Sequence, residues 1–185
     1  MKNKRRASKG EKINPHFWIF CEGETEKAYI SFLRSEYPLP IEIIPKIAGS
    51  SINERFIISY KKGKPRHEKD KDFLIYDSDI LEIFYKLIKI DSAILIASNP
   101  SIELWFLLHN KNITTTLSTD DCIRELCNRS RNNYKKGFLD NPLKNRLKEK
   151  CVDACNRSKQ LKMYNNPSTN MFEYIEVLEK VKKEL

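Results

Sequence analysis

Phe17-Trp18-Ile19-Phe20-Cys21-Glu22-Gly23-Glu24-Thr25-Glu26 is an apolar run that stops at Glu22-Gly23 and then opens a helix-like stretch. A second apolar run, Phe73-Leu74-Ile75-Tyr76, stops at Asp77-Ser78-Asp79. A buried strand that ends in a carboxylate sets that charge at the C-terminal edge of its sheet, where open α/β folds bind their ligands. Two such strands bring several acids to one edge. Carboxylates held that close repel unless they share protons or hold a hard cation, and oxygen-rich sites suit Mg²⁺ or Mn²⁺. The two stretches therefore read as the centre of a metal-dependent enzyme.

Working outward, Phe17–Cys21 is a strand bounded by Pro15 and Gly23. Thr25–Glu36 is a helix with Ala28, Tyr29, Phe32 and Leu33 on one face, stopped by Tyr37-Pro38. Ile41–Ile47, rich in β-branched residues, is a second strand. Gly49-Ser50-Ser51 forms a turn with a helix N-cap, and Ile52–Lys62 is helical. Phe73–Tyr76 is the third strand, and a helix over about Ile80–Lys89 follows, with Ile80, Ile83, Phe84, Leu87 and Ile88 at helical spacing. Ala93–Ala97 is the fourth strand, and Ser98-Asn99-Pro100 leads into a helix over Ser101–His109. Alternating strands and helices with short connections predict a parallel sheet covered on both faces. Beyond Thr114 three helices are predicted, over Asp120–Asn128, Pro142–Lys162 and Met171–Glu184. The organisation is thus a basic, flexible tail (1–12), an α/β core (13–113) and a C-terminal helical extension (114–185).

The 185 residues, 40% hydrophobic and 32% charged, suit one folded domain and exclude a fibrous or disordered chain. No apolar run approaches the roughly 18 residues that span a bilayer, and the basic N-terminus lacks the apolar core of a signal peptide. The expected location is cytoplasmic. Five cysteines (Cys21, Cys122, Cys127, Cys151, Cys155) without a CxxC pair are no disulfide framework. Cys151 and Cys155 lie one helical turn apart, but none of His16, His67 and His109 stands at metal-ligand spacing to them. Cys21 reads as a small buried hydrophobe.

The net charge of +9 is uneven. Residues 1–12 hold six bases and one acid, residues 61–71 six and two, and residues 124–162 twelve and four. Any one such run is ordinarily a solvated face. Three of them on a chain with an acidic centre are the footprint of a polyanion, most simply nucleic acid.

Three stretches carry the chemistry. In Glu22-Gly23 the glycine allows close backbone approach to a ligand, and Glu26, one turn on, can face the same place. Glu24 is explained by a helix N-terminus alone. Asp77 and Asp79 leave their strand with one residue between them, so both can turn toward one cation, although an Asp is also an ordinary helix cap. Asp70 and Asp72 stand at the opposite end of that strand and read as solvated. In Ser98–His109, Glu103 sits among Ile102, Leu104, Trp105, Phe106, Leu107 and Leu108. Burying it there is costly unless it is paired or coordinated. Asn99 follows the fourth strand, in position for a substrate contact, and His109 reads as a C-terminal cap.

Glu-Gly after the first strand and Asp-x-Asp after the third resemble the Toprim fold of topoisomerases, primases and OLD-type nucleases. Cys21–Tyr29, Ser98–His109, Tyr134-Lys135-Lys136 and Asn166-Pro167-Ser168-Thr169 together resemble the RloB family of prokaryotic defence-associated proteins, over nearly the whole chain. That resemblance implies a four-stranded parallel Toprim sheet with a C-terminal helical extension. It implies a metal set of Glu22, Asp77, Asp79 and Glu103, with Glu26 as a further catalytic acid. Lys136, in a Tyr-x-Lys element, becomes a candidate to stabilise phosphate charge, and Asn99, Lys135, Lys136 and Lys144 become candidate substrate contacts. Ile102 departs from the aromatic residue usual in the family, a change in packing that leaves the acids intact. The implied activity is Mg²⁺- or Mn²⁺-dependent nuclease action on DNA or RNA in antiphage defence, with an ATPase of the AAA or ABC type as partner. The rival readings are a nucleic-acid-binding or partner-sensing Toprim module without catalysis, and a small-molecule phosphotransferase.

Overall fold

The computed structural model describes residues 13–130 and 134–184. The basic tail expected over residues 1–12 and Arg131 lie outside them, as does the side chain of Arg129. Five strands form one sheet in the order β2-β1-β3-β4-β5: β1 His16–Cys21, β2 Glu42–Ile47, β3 Lys71–Asp77, β4 Ile94–Asn99 and β5 Ser168–Thr169. The first four are parallel, and β5 adds to β4 antiparallel through Ser98↔Thr169 and Asn99↔Ser168. The expected four-stranded parallel sheet is thus corrected to five strands. Two polar residues carry no apolar pattern; β5 is held by its backbone and by the Ser98–Thr169 hydroxyl contact at 2.8 Å. Pro45 falls in β2, an edge strand, where its missing N–H leaves no gap in the ladder.

Alternation along the central strands covers both faces. Phe17, Ile19, Cys21, Phe73 and Ile75 enter the larger core, whereas Trp18, Phe20, Leu74 and Tyr76 enter a smaller one. The smaller layer is α2 (Glu54–Lys61) and α3 (Leu81–Leu87), which contribute Ile57 and Leu87. The larger layer holds α1 (Glu24–Glu36) and α4 (Ile102–Leu108), every residue of α4 being buried. The later helices share that core: α5 (Thr119–Ser130), α6 (Asn141–Glu149), α7 (Cys151–Ser158) and α8 (Met171–Lys183). Tyr174 of α8 packs edge-on against Phe73, ring centres 5.0 Å apart. The side chain of Asn170 accepts from Ala97 N at 2.7 Å and donates to Leu95 O at 3.0 Å, locking the start of α8 to β4.

Several local expectations need correction. The single helix expected over Pro142–Lys162 breaks at Lys150 (φ −107°, ψ 16°) into α6 and α7. No glycine or proline marks that break. Ile80 and Ile88, expected on the inner face of α3, are 52% and 44% exposed, and only Leu87 of that helix is buried. Asn53, rather than the serines before it, caps α2 by accepting from Phe56 N at 2.9 Å. Asp70 and Asp72 are not solvated. Asp70 accepts from the backbone of His16 and His67 at 2.7 and 3.1 Å, and Asp72 pairs with Lys61 at 2.7 Å. Among the described residues no helix is long and apolar enough to cross a membrane.

Candidate functional site

The register between β1 and β3 builds the site. Cys21 lies opposite Ile75, so the parallel strands deliver Glu22 and Asp77 at the same C-terminal edge. Glu22 N donates to Ile75 O at 3.1 Å, and its carboxylate Oε2 accepts from Asp77 N at 2.9 Å. The chain then turns at Gly23, whose N–H donates to Glu26 Oε2 at 2.8 Å, folding Glu26 back over the start of α1. A Cβ on Gly23 would stand 3.3 Å from that oxygen.

From the other side, α4 starts against β3. Asp77 Oδ1 accepts from Ile102 N at 3.0 Å, which places Glu103 beside the same edge. Glu103 is 1% exposed, and its Oε1 accepts from the Tyr134 hydroxyl at 2.9 Å. Tyr134 opens a hairpin in which Lys135 bridges to Phe138 across the turn Lys136-Gly137. Gly137 N donates to Thr25 Oγ1 at 2.9 Å, pinning the turn on α1. Only glycine suits that position: its φ is +76°, and a Cβ would meet Glu24 Cβ at 3.0 Å. Glu22, Glu26, Asp77, Glu103 and Lys136 thereby line one depression of about 220 Å³.

Burial and mutual repulsion dominate its electrostatics. Burial first, then the charges of Glu26, Glu22, Glu103 and Asp79, push the Asp77 carboxyl up to about 9. Burial raises Glu26 to about 7 against the opposing N–H donors, with Glu22 and Glu103 adding to the rise. Glu22 is raised too, mainly by burial and also by Asp79, while the Asp77 N–H and Lys136 act the other way. Acids in this state bind a proton or a cation more readily than isolated ones.

The donor set suits a hard cation, being all oxygen, and two further features agree. Glu22, Asp77 and Glu103 each spend one oxygen on a protein donor, leaving the second without one among the described residues. The hydroxyls of Ser78 and Ser101, next in sequence to Asp77 and near Glu103, are buried without hydrogen-bond partners among the described residues. As the side chains stand, no group of three or more His, Cys, Asp or Glu among the described residues is gathered tightly enough to hold a metal. Seating one would therefore require these acids to draw closer together.

Not every expected residue meets there. Asp79 is exposed and outside the lining of the depression, though close enough for its charge to reach Asp77 and Glu22. The amide of Asn99 donates to Ser78 O and Tyr164 O, so it braces the exit of β3 rather than facing the acids. Lys135 lines a neighbouring cavity, and Lys144, on α6, lines neither. The basic 61–71 loop precedes β3, so it sits at the opposite end of the sheet, about 20 Å away by strand rise. There Lys64 lies over the Tyr60 ring and Lys61 holds Asp72. Thr25, Gly137 and the Tyr134 hydroxyl were not singled out by sequence reasoning. Tyr134 carried a signal, its place in the Tyr-x-Lys element; Thr25 carried none.

Away from this edge, His109 is the C-cap of α4, with Nδ1 at 2.8 Å from Trp105 O. The fold sets it beside Cys151, a neighbourhood that spacing did not disclose. The Cys155 thiol, and then His109, lower the Cys151 thiol despite its burial, and Cys155 is raised in turn.

No curated protein and no solved structure matches the chain. A family model described as RloB-like protein matches residues 17–178. That span runs from β1 into α8 and takes in the acidic edge together with Tyr134 and Lys136, so the chain belongs to the RloB-like family.

Proposed function

We propose that this chain is a Toprim-type, Mg²⁺- or Mn²⁺-dependent nuclease that hydrolyses phosphodiester bonds in DNA or RNA, acting in antiphage defence under an AAA- or ABC-type ATPase. One observation carries the reading: Glu22, Glu26, Asp77 and Glu103 converge on one sheet edge, and Lys136 lines the same depression. A structural role alone gives no reason to crowd buried acids so that their ionisation is opposed.

Glu22, Asp77 and Glu103 would hold the ion, with Asp79 at the rim. Once bound, the ion supplies neutralising charge at the phosphate and lowers the pKa of a coordinated water. The chain's own groups do the rest. Tyr134 fixes the rotamer of Glu103 through its hydroxyl. Gly23 N–H holds Glu26 at the start of α1, where its carboxyl, near 7, can accept or return a proton at neutral pH. Lys136 lines the same depression, where it would offset charge that builds on phosphate oxygens in the transition state. Substrate would be gripped from the hairpin and α6 (Lys135, Lys144), since the 61–71 loop lies at the far end. The partner ATPase and the defence role follow from the family resemblance.

Incubation with DNA and with total RNA, under Mg²⁺, Mn²⁺ or chelator, with and without the neighbouring ATPase, tests this. Cleavage should require the divalent ion and vanish in Glu22→Ala and Asp77→Ala. Folded variants that remain fully active, or cleavage that persists in chelator, would overturn the reading.

A further inference from the structure

Behind Tyr134 lies a second cavity, about 480 Å³ in volume, lined by Tyr134, Lys135, Phe138, Asp140, Leu143 and Arg146 among others. Its size falls in the range of small-molecule sites and admits a single nucleotide unit. Its walls combine two features. Phe138 is 62% exposed, an aromatic ring left to solvent at the edge of a concave surface. Beside it stand two cations, Lys135 and Arg146, against one carboxylate, Asp140, so the wall is positive by one charge. An aromatic platform flanked by positive charge is what stacking of a base and tracking of its backbone require.

The hairpin links this cavity to the acidic edge. Lys135 and Phe138 face each other across the bridge and line the cavity, whereas Lys136 and Gly137, at the turn between them, line the acidic depression. Tyr134 is a common wall, lining the cavity while its hydroxyl sits 2.9 Å from Glu103. A nucleotide chain seated in the cavity would therefore pass its adjoining phosphate toward Lys136. An intact duplex keeps its bases inside the stack, so only an unpaired or extruded base can enter such a cavity.

We infer that the Phe138 cavity holds an unstacked base beside the scissile phosphate, and that the substrate class is single-stranded or locally unpaired nucleic acid. The inference rests on reading the acidic edge as a phosphodiesterase centre. The alternative occupant of an exposed aromatic at a basic rim is a protein partner.

The test is binding of the full chain, in chelator so that nothing is cut, to a fluorescent single strand and to the same sequence as a blunt duplex. The single strand also carries 2-aminopurine, whose emission falls on stacking. The single strand should bind more tightly and its emission should be quenched. Phe138→Ala should weaken that binding by about five- to 150-fold, the range for losing one base–aromatic stack, and abolish the quench. It should leave duplex affinity and the melting temperature unchanged, and Phe138→Trp should restore both signals. Equal affinity for the two probes, or single-strand binding indifferent to Phe138, overturns the inference and favours the protein partner. Mg²⁺-dependent cleavage by a protein whose binding ignores Phe138 would do so while leaving the nuclease reading intact. Phe138-dependent binding with no cleavage under any ion would uphold the cavity and overturn the nuclease reading. Failure to bind either probe overturns both.

Discussion

Asp77→Asn should make the metal-free protein more stable at alkaline pH while abolishing its metal-dependent activity. Asparagine keeps the oxygen that accepts from Ile102 N and removes only the charge. The Asp77 carboxyl is raised from 3.8 to about 9 in the folded protein, by burial first and then by Glu26, Glu22, Glu103 and Asp79. A folded-state pKa above the unfolded one gives stability that is full below about pH 4 and is lost as pH climbs toward 9. At pH 8 about four pH units of that window have been crossed, and at ~1.36 kcal/mol per unit the ceiling is about 6 kcal/mol. The proton is shared among interacting acids, and Glu26, itself held near 7, already absorbs part of the relief. We expect about a third of the ceiling, ~2 kcal/mol, which for a chain of this length is a rise of about 4–8 °C in Tm. Thermal unfolding in chelator from pH 4 to 9, wild type against variant, measures it. The two curves should coincide at pH 4 and diverge steadily above pH 6. Added Mg²⁺ should stabilise wild type more than the variant, because an ion that binds only the folded state raises stability by mass action. A variant less stable than wild type at pH 8, or a difference that does not change with pH, would show that burial and its neighbours do not raise the Asp77 carboxyl.

Gly137→Ala should cost about 1–2 kcal/mol in thermal unfolding, since alanine at φ +76° is strained and its Cβ crowds Glu24, and should lower cleavage by moving Tyr134 and Lys136. Cys151 should react with iodoacetamide at pH 7 faster than the other four cysteines, as peptide mapping by mass spectrometry would read. His109→Asn should slow it, because His109 helps to lower the Cys151 thiol and so raises its thiolate fraction. Nucleic-acid affinity should fall with salt, and joint charge reversal of Lys135, Lys136 and Lys144 should reduce the log–log slope by about two to three, roughly 0.7–0.9 for each phosphate no longer neutralised. A slope unchanged by the three reversals would move the grip to other surfaces.

Three of the four parallel strands, β1, β3 and β4, were legible because each holds a continuous apolar run bounded by turn residues, as a strand covered on both faces does, and the edge strand β2 by its β-branched residues. β5 was not, because two polar residues paired through backbone leave no pattern. The break at Lys150 has no glycine or proline to announce it; it separates a helix burying Leu143 and Leu147 from one burying Ala154. The half-exposed α3 misled for the opposite reason. Ile80, Ile83, Phe84, Leu87 and Ile88 have helical spacing, yet the helix is too short for all of them to reach the sheet. At the site, Glu22 and Asp77 could be read because a strand's direction alone decides which end its terminal residue occupies. Glu103 could be read because an isolated carboxylate in an apolar helix needs a partner. The same logic of strand direction puts the 61–71 loop at the far end, so its charge, counted correctly, belongs to a different surface.

What composition and period cannot disclose are the contacts that close the centre from a distance. The Tyr134–Glu103 bond spans 31 residues and the Gly137–Thr25 bond spans 112. These bonds bear on what the C-terminal segment is for. The sheet edge alone would present the acids to one another with backbone N–H groups as their donors, from Asp77, Ile102 and Gly23. The hairpin after α5 adds the hydroxyl that orients Glu103 and the ammonium that opposes the charge of Glu22. Further on, Asn170 and β5 cover the outer side of β4, the strand that leads into α4. The helices after Ile113 thus set the position and charge balance of Glu103 and Glu22, and by the same hairpin they form the cavity in which Phe138 waits for a base.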